Sequence, residues 1–399
     1  MRLGMHFATL RLIILSLAIL AQVYLFVRIR RAIRSLRLSD PLKFRIIGLV
    51  GLSIGLLFAM NLYIMSRPLP WVDPPLAVQA ILFYFPAIWG FGSIISALLL
   101  GLTQVASGLG RRVVRLHRGP ASPTDSLPVN LNRRHFLQAA VGGVVAVPLI
   151  LSGYEAVHAG QAYEVRELTV PFGRSLRVVQ LTDIHASIYM TQNQMRRYVD
   201  KVIALQPDLF VLTGDFISNS ILFLPGCVQE MARVRARYGT FAALGNHEYW
   251  YGKLNEIQAI FRQYRIPLLR NAHRVVQTER GPFAVAGIDD LRAGHPDLEA
   301  TLHGLNSAIP TLLLSHRPEI FPQAAAHGIP LTLAGHYHGG QIKLSLPGRD
   351  ISLAHLITPY PGGLYRINAS RLYVSRGIGT TFTPLRLNVP PEITLLHLI

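Results

Sequence analysis

Residues Ile46 to Met65 run for 20 positions without a charged side chain, and about 20 apolar residues are enough to cross the ~30 Å hydrocarbon core of a bilayer. Two further runs flank it. Leu76 to Leu102 gives 27 uncharged residues, with polar Gln79 and an expected kink at Pro86; Leu12 to Val27 gives 16, which reaches spanning length if Arg11 snorkels to the interface. The pattern predicts three transmembrane helices within residues 1–110, the alternative being buried core helices.

The charge follows the same division. Residues 1–135 hold 16 Lys and Arg against 3 Asp and Glu, net +13, and the rest hold 23 against 18, net +5 of the total +18. A pI near 10.6 would fit a nucleic-acid partner, but most of the excess sits beside the apolar runs. Arg28, Arg30, Arg31, Arg34, Arg37, Lys43 and Arg45 lie between the first two runs, whereas the next connection carries Arg67 and Asp73. The positive-inside rule places the first of these loops in the cytoplasm, and the basic stretch Arg111, Arg112, Arg115, Arg118, Arg133, Arg134 agrees with a third span that returns inward.

Residues 111–135, with a Pro/Ser-rich stretch from Gly119 to Pro128, read as a basic cytoplasmic linker. Asn132-Arg133-Arg134-His135-Phe136-Leu137-Gln138 then precedes apolar Ala139 to Leu151 and resembles a twin-arginine export signal, although Gln138 stands where a basic residue is usual. A short fourth span is the alternative. Residues 136–153 are read as an uncut signal anchor despite a small-residue cleavage site at Val157-His158-Ala159. Either reading carries the rest of the chain to the periplasm or cell exterior, from an inner (plasma) membrane that the chain crosses several times. The single cysteine, Cys227, leaves no internal disulfide there.

From about residue 160 short apolar runs alternate with amphipathic stretches. Ser175–Thr182, Leu209–Thr213, Thr240–Leu244, Phe283–Ile288, Thr311–Leu314 and Pro330–Ala334 read as buried strands, and Gln192–Leu205, Val228–Tyr238, Leu254–Tyr264 and Asp297–Leu305 as helices. Beyond Gly363 the helical signal fades, and strands at Tyr365–Ile367, Leu372–Ser375 and Glu392–His397 predict a second sheet packed on the first. The class is α/β, and residues 160–399 are long enough to bury one full core.

Five of these strands end in metal-ligand residue types: Asp183-Ile184-His185, Gly214-Asp215, Gly245-Asn246-His247-Glu248, Ser315-His316, and Gly335-His336-Tyr337-His338. The carboxyl ends of α/β strands open onto the crevice where ligands bind. Side chains two apart on an extended strand share a face, so Asp183 with His185, and His336 with His338, are expected to address one point each.

The order Asp-x-His, Gly-Asp, Gly-Asn-His-Glu, His, Gly-His-x-His resembles the calcineurin-like metallophosphoesterase family over residues 175–399. The resemblance implies a four-layer αββα sandwich of two mixed sheets around two divalent metal ions, with Asp183, His185 and His338 on the first ion, Asn246, His316 and His336 on the second, and Asp215 bridging. His316 is the shortest of these motifs, and His295 and His303 are rivals for its place. His247 would stabilise charge on phosphorus or protonate the leaving group, with Glu248 either orienting it or serving structure alone. Imidazole and carboxylate ligands suit Mn, Fe or Zn.

Gly339-Gly340-Gln341-Ile342-Lys343 and Ser375-Arg376-Gly377-Ile378-Gly379-Thr380-Thr381 through Pro390-Pro391-Glu392 resemble the membrane-anchored bacterial branch, which includes cell-envelope phosphodiesterases and UDP-2,3-diacylglucosamine hydrolases. Arg376 would then contact phosphate, or else be a surface arginine in a strand-connecting turn. Tethering by the predicted spans would hold the site near the bilayer, which makes a lipid-linked or cell-envelope phosphoester the expected substrate, and the resemblance supplies UDP-2,3-diacylglucosamine of the lipid A pathway as the candidate. That pyrophosphate lies on the cytoplasmic side, so the topology read above favours a periplasmic or wall phosphodiester in its place. A nuclease and a metal-binding membrane sensor without enzymatic activity are the alternatives. The +5 of the C-terminal part argues against the nuclease, and no specific nucleic-acid partner is expected.

Overall fold

The computed structural model describes residues 2–66, 78–118, 163–218, 220–346, 349–381 and 384–399. The chain divides into two units, an N-terminal helical one and another that holds the chain from Glu155 onward. In the first, α1 covers Arg2–Arg34 and α2 Asp40–Ser66; a π-helical turn at Gln79–Tyr84 leads into α3, Phe85–Arg118. The widened turn lies where the kink was expected: Pro86 has no N–H to continue the ladder. The Pro86 carbonyl accepts from Asn61 Nδ2 at 2.5 Å. Gln22 links α1 to α3, donating to Ser93 Oγ at 2.5 Å and accepting from Trp89 Nε1 at 3.1 Å.

Two helices among the described residues are long and apolar enough to cross a membrane, Asp40–Tyr63 and Leu82–Gly110. The third run expected to span, Leu12 to Val27, lies within α1. All three runs are helical, and the last turns of α1 carry Arg28, Arg30, Arg31 and Arg34. The helix α3 also continues through Arg111–Arg118, where the linker was placed. The twin-arginine-like segment and the fourth-span reading lie outside the described residues.

The second unit begins with β1 (Glu164–Val170), β2 (Leu176–Leu181), α4 (Gln192–Ala204), β3 (Leu209–Thr213), α5 (Leu224–Met231), β4 (Thr240–Ala243), α6 (Asn246–Tyr251) and α7 (Leu254–Gln263). It continues with β5 (Ala272–Val276), β6 (Phe283–Gly287), α8 (Leu298–Leu302), β7 (Thr311–Leu314), α9 (Phe321–Ala326) and β8 (Leu331–Ala334). The hairpin β9 (Lys343–Leu346) and β10 (Arg349–Ser352), α10 (Ala354–Ile357), β11 (Gly363–Ile367), β12 (Ser370–Val374) and β13 (Glu392–Leu398) complete it.

Two mixed sheets result, ordered β1-β13-β2-β3-β4 and β11-β12-β8-β7-β6-β5. Strands β2, β3 and β4 are mutually parallel in the first, and β6, β7, β8 and β12 in the second. Alternate residues of both sheets meet in one core: Val178, Leu209, Val211, Phe241 and Leu396 from the first, Phe283, Val285, Leu312, Leu314, Leu331 and Leu333 from the second. The intervening residues Leu313 and Ala286 turn to the other face, where Leu298 of α8 and Ala324 of α9 cover them. Fully burying each such aliphatic side chain contributes about 1.5–3 kcal/mol. The expectation that the C-terminal strands form the second sheet is half corrected: β11 and β12 join it beside β8, but β13 inserts between β1 and β2 of the first.

The helix α4 starts where its sequence says it should. Thr191 Oγ1 accepts from Gln194 N at 3.4 Å, and Gln194 Oε1 accepts from Thr191 N at 2.8 Å, a reciprocal cap. Met195, Tyr198, Val199 and Val202 form its buried stripe. The helix expected at Val228–Tyr238 lies earlier, at Leu224–Met231, with a proline in its first turn.

Candidate metal centre

Parallel strands release their chains at one edge, and the edges of the two sheets face a common point. From β2 come Asp183 and His185, from β3 Asp215, from β4 Asn246 and His247, from β7 His316, and from β8 His336 and His338. The loops are stitched together beyond the strand ends: Asp183 N donates to Gly214 O at 3.0 Å, His185 N to Asp215 O at 2.9 Å, and Gly335 N to His316 O at 3.0 Å.

The backbone there is not extended. Of the eleven non-glycine residues at positive φ among the described residues, five are Asp183, His185, Asp215, His336 and His338, with φ between 50° and 78°. Left-handed conformation costs roughly 1–2 kcal/mol per residue, and such strain collects at functional sites where surrounding structure enforces it. Asp183 and His185 therefore converge through tight turns and not through strand alternation. His336 and His338 do not share a point, contrary to the strand-spacing argument.

Three groups of side chains bring ligand-type atoms within 4.8 Å of one another: Asp183, His185 and His338; His185, Asp215 and His247; Asp215, His316 and His336. His338 Nε2 lies 3.1 Å from His185 Nε2 and 3.4 Å from Asp183 Oδ1. Asp215 Oδ2 lies 3.1 Å from His316 Nε2, 3.7 Å from His185 Nε2 and 4.0 Å from His247 Nε2, and His316 Nε2 lies 3.1 Å from His336 Nδ1. Every member is buried except His247 and His336, which are partly so. His316, the shortest of the sequence motifs, is thus in the cluster, and His295 and His303 are not among these groups.

The donor chemistry of the cluster fits a cation. His316 Nδ1 donates to Thr213 O at 2.9 Å and His247 Nδ1 to Ser218 O at 2.6 Å, which leaves an Nε2 lone pair on each directed at the Asp215 carboxylate. Two acceptors at 3.1 Å repel unless a positive charge sits between them. Without an ion that charge is a proton: burial disfavours it, but the facing Asp215 carries the His316 pKa up to about 10. Burial would raise the Asp215 pKa, yet His316 and His247 hold it well below the usual carboxylate range. Burial, with Asp215 nearby, pushes Asp183 up to about 6. Burial drives His185, His336 and His338 well below their ordinary values, so all three offer neutral imidazoles. His185 Nδ1 is buried without a partner.

Two neighbours play parts other than those expected. Glu248 does not touch His247; its carboxylate accepts from Gly245 N at 2.9 Å, Asp215 N at 3.0 Å, Phe216 N at 2.8 Å and Ile217 N at 3.3 Å. It clamps the loop after β3 to the first turn of α6. Arg376, the candidate phosphate contact, is ion-paired: its Nε donates to Glu392 at 2.6 Å and its Nη2 to Glu164 at 2.7 Å, tying β1 to β13. Gly245 is required by close approach, since a Cβ there would overlap the Asp215 carboxylate.

Sequence reasoning missed two buried arginines. Arg317, paired with buried Asp290 at 3.1 Å, donates to Asn246 Oδ1 at 3.1 Å and to His336 Nε2 at 2.5 Å. The Asn246 amide is thereby fixed with its oxygen toward Arg317, and the ring of His336 is braced. Arg386 donates to the carbonyls of Gly377 at 3.0 Å and Val389 at 3.2 Å and approaches His338 Nδ1 at 3.3 Å, shaping the turn whose Gly379 N donates to Asp183 O at 2.7 Å.

Residues 176–340 match the family of calcineurin-like phosphoesterases, an interval that contains every member of the cluster. The chain carries a calcineurin-like metallophosphoesterase domain. Among its relatives, the "Uncharacterized metallophosphoesterase YkuE" of Bacillus subtilis is 29% identical over 285 residues, covering 67% of this chain and 98% of that one. The "Transmembrane protein with metallophosphoesterase domain" of Danio rerio is 29% identical over 416 residues, covering 96% of this chain and 87% of that one, so the likeness extends into the helical unit. The solved structure of TT1561 from Thermus thermophilus covers 51% of this chain and 91% of its own, at 13% identity and a TM-score of 0.36. A calcineurin-like domain with this cluster is a phosphoric ester hydrolase, and its family depends on metal.

Proposed function

We propose that this protein is a membrane-anchored phosphoesterase that uses two divalent ions, Mn, Fe or Zn, to hydrolyse a phosphodiester or pyrophosphate bond in a lipid-linked or cell-envelope substrate. The observation that carries the dinuclear reading is Asp215, whose Oδ2 faces His185 Nε2 at 3.7 Å on one side and His316 Nε2 at 3.1 Å on the other. One carboxylate between two imidazole sets is the arrangement that two ions with a shared ligand require.

In this reading Asp183, His185 and His338 would hold one ion and Asn246, His316 and His336 the other, with Asp215 as the shared ligand. Such ions supply Lewis-acid polarisation of the phosphoryl group and a lowered pKa for the attacking water. The chain itself does the rest. Ser218 O fixes the Nδ1 proton of His247, and its side chain, 15% exposed against 4% or less for His185, His316 and His338, presents Nε2 to an incoming ester. When that nitrogen takes up a proton, it would stabilise charge on phosphorus or pass the proton to the leaving oxygen. Arg317 and Glu248 keep Asn246 and the loop of Asp215 in register.

Helices of spanning length confine the site near a bilayer, which raises the effective concentration of lipid-borne esters. Basic loops beside α1 and α2 favour a cytoplasmic location for their connection, and export of the catalytic unit rests on the twin-arginine-like segment that follows the basic stretch Arg111 to Arg134. The test is a comparison, on purified full-length protein, of turnover on bis(p-nitrophenyl) phosphate, p-nitrophenyl phosphate and UDP-2,3-diacylglucosamine in mixed micelles. A higher kcat/KM on the lipid-linked ester than on the soluble diester is expected. Equal or lower efficiency removes the lipid-linked substrate while leaving the hydrolase in place.

A further inference from the structure

Large aliphatic side chains in the catalytic unit are mostly inside, yet one short stretch turns five of them outward. Leu344 is 60% exposed, Ile351 37%, Leu353 76%, Leu356 78% and Ile357 70%. They form one surface. Leu344 and Ile351 are cross-strand partners in the hairpin β9–β10; Leu353 follows two residues on; Leu356 and Ile357 stand three and four positions further, the spacing of one helix face. The opposite face of the hairpin is polar, with Lys343 Nζ bound to Asp350 Oδ2 at 2.8 Å.

The element is anchored. Lys343 N donates to Leu387 O at 2.9 Å, Thr358 N to Ala354 O at 3.0 Å, and Thr358 Oγ1 to Glu319 Oε1 at 3.3 Å. Its root is the turn that carries His338, because Gly340 packs so closely on Ser352 and Ala354 that a Cβ there would overlap the serine. Whatever seats on this face is therefore held beside the metal centre.

We propose that the face formed by Leu344, Ile351, Leu353, Leu356 and Ile357 inserts into the surface of a lipid bilayer. Two features of the chain name the occupant. Its helices Asp40–Tyr63 and Leu82–Gly110 keep a bilayer within reach of the catalytic unit. The five outward side chains are all aliphatic, with no Trp or Tyr among them, and the nearby Ser352 Oγ is already satisfied by His355 Nδ1 at 2.7 Å. A non-directional apolar face with a polar reverse is what interfacial insertion uses. The inference goes beyond the proposed reaction and does not depend on which ester is cleaved.

The test uses full-length protein in nanodiscs, with Leu356→Cys or Val275→Cys carrying an environment-sensitive fluorophore. Cys227 is fully buried, and burial raises its thiol pKa, so it stays unlabelled. Val275 is an exposed control on β5. The proposal expects blue-shifted emission at position 356 that is quenched when brominated lipid replaces ordinary lipid, with neither effect at position 275. Unshifted, unquenched emission at 356 overturns it. So does a blue shift that brominated lipid leaves intact, since a protein segment or a second copy then covers the face.

Discussion

A buried imidazole has two nitrogens to satisfy, and at His316 and His247 a main-chain carbonyl takes one of them, Thr213 O and Ser218 O. The free nitrogen is thereby aimed by the fold before any ligand arrives. His247→Ala is expected to lower turnover of a chromogenic diester by about 10²–10⁴-fold, with bound metal unchanged when measured by mass spectrometry; loss of metal would make it a ligand. Arg317→Lys keeps a charge near Asp290 but cannot reach both Asn246 and His336, and should cost about 10–100-fold in metal affinity or activity. Arg376→Gln is expected to lower the melting temperature and leave KM for the diester alone, because it strands the buried Glu392; an increased KM at unchanged stability would restore the phosphate role. The clustering of Asp183, His185, Asp215, His247, His316, His336 and His338 was legible because each sits behind an apolar strand and carries a side chain with metal chemistry. Arg317 and Arg386 were not, since a lone arginine has no spacing to betray it. The ion pairing of Arg376 was not legible either, because its partner Glu164 lies 212 residues away, a pairing that only the fold creates.

At the scale of elements, strands buried on both faces announced themselves. Leu209–Thr213 and Thr311–Leu314 are continuous apolar runs and form β3 and β7 with those boundaries. The missed strands all pair on one side within their sheets: β1, Glu-Val-Arg-Glu-Leu-Thr-Val, and β5, Ala-His-Arg-Val-Val, are edges that keep polar residues, and β9 and β10 pair only with each other. Sheet membership was illegible too, because β13 reaches the first sheet after a 17-residue connection from β12. The packing of α4 on α5 carries a pH signature. Burial raises the pKa of Glu230, but Gln192, Arg196 and Arg233 outweigh it and hold the carboxyl below its ordinary 4.5. A carboxylate with a depressed folded pKa contributes stability that is present above the unfolded value of about 4.5 and lost as pH falls through the folded value. Glu230→Gln is therefore expected to lower the melting temperature at pH 7 and to flatten its decline below about pH 4.5. An acid limb identical to wild type would assign the loss to other carboxylates.

For the whole molecule, one half supplies helices of membrane-spanning length and the other a hydrolytic centre at the joined edges of two sheets. The division was visible in the charge and apolar patterns, because lipid and water impose different compositions on a chain. The metal requirement was visible for a related reason: buried acids and imidazoles in such density need a cation to balance them. The most direct test measures metal content and diester turnover together on full-length protein, wild type and Asp215→Asn. Two ions per chain in wild type, with turnover lost to chelation, restored by Mn and absent together with an ion in the variant, is the predicted result. Turnover that survives both chelation and the loss of Asp215 would contradict the account.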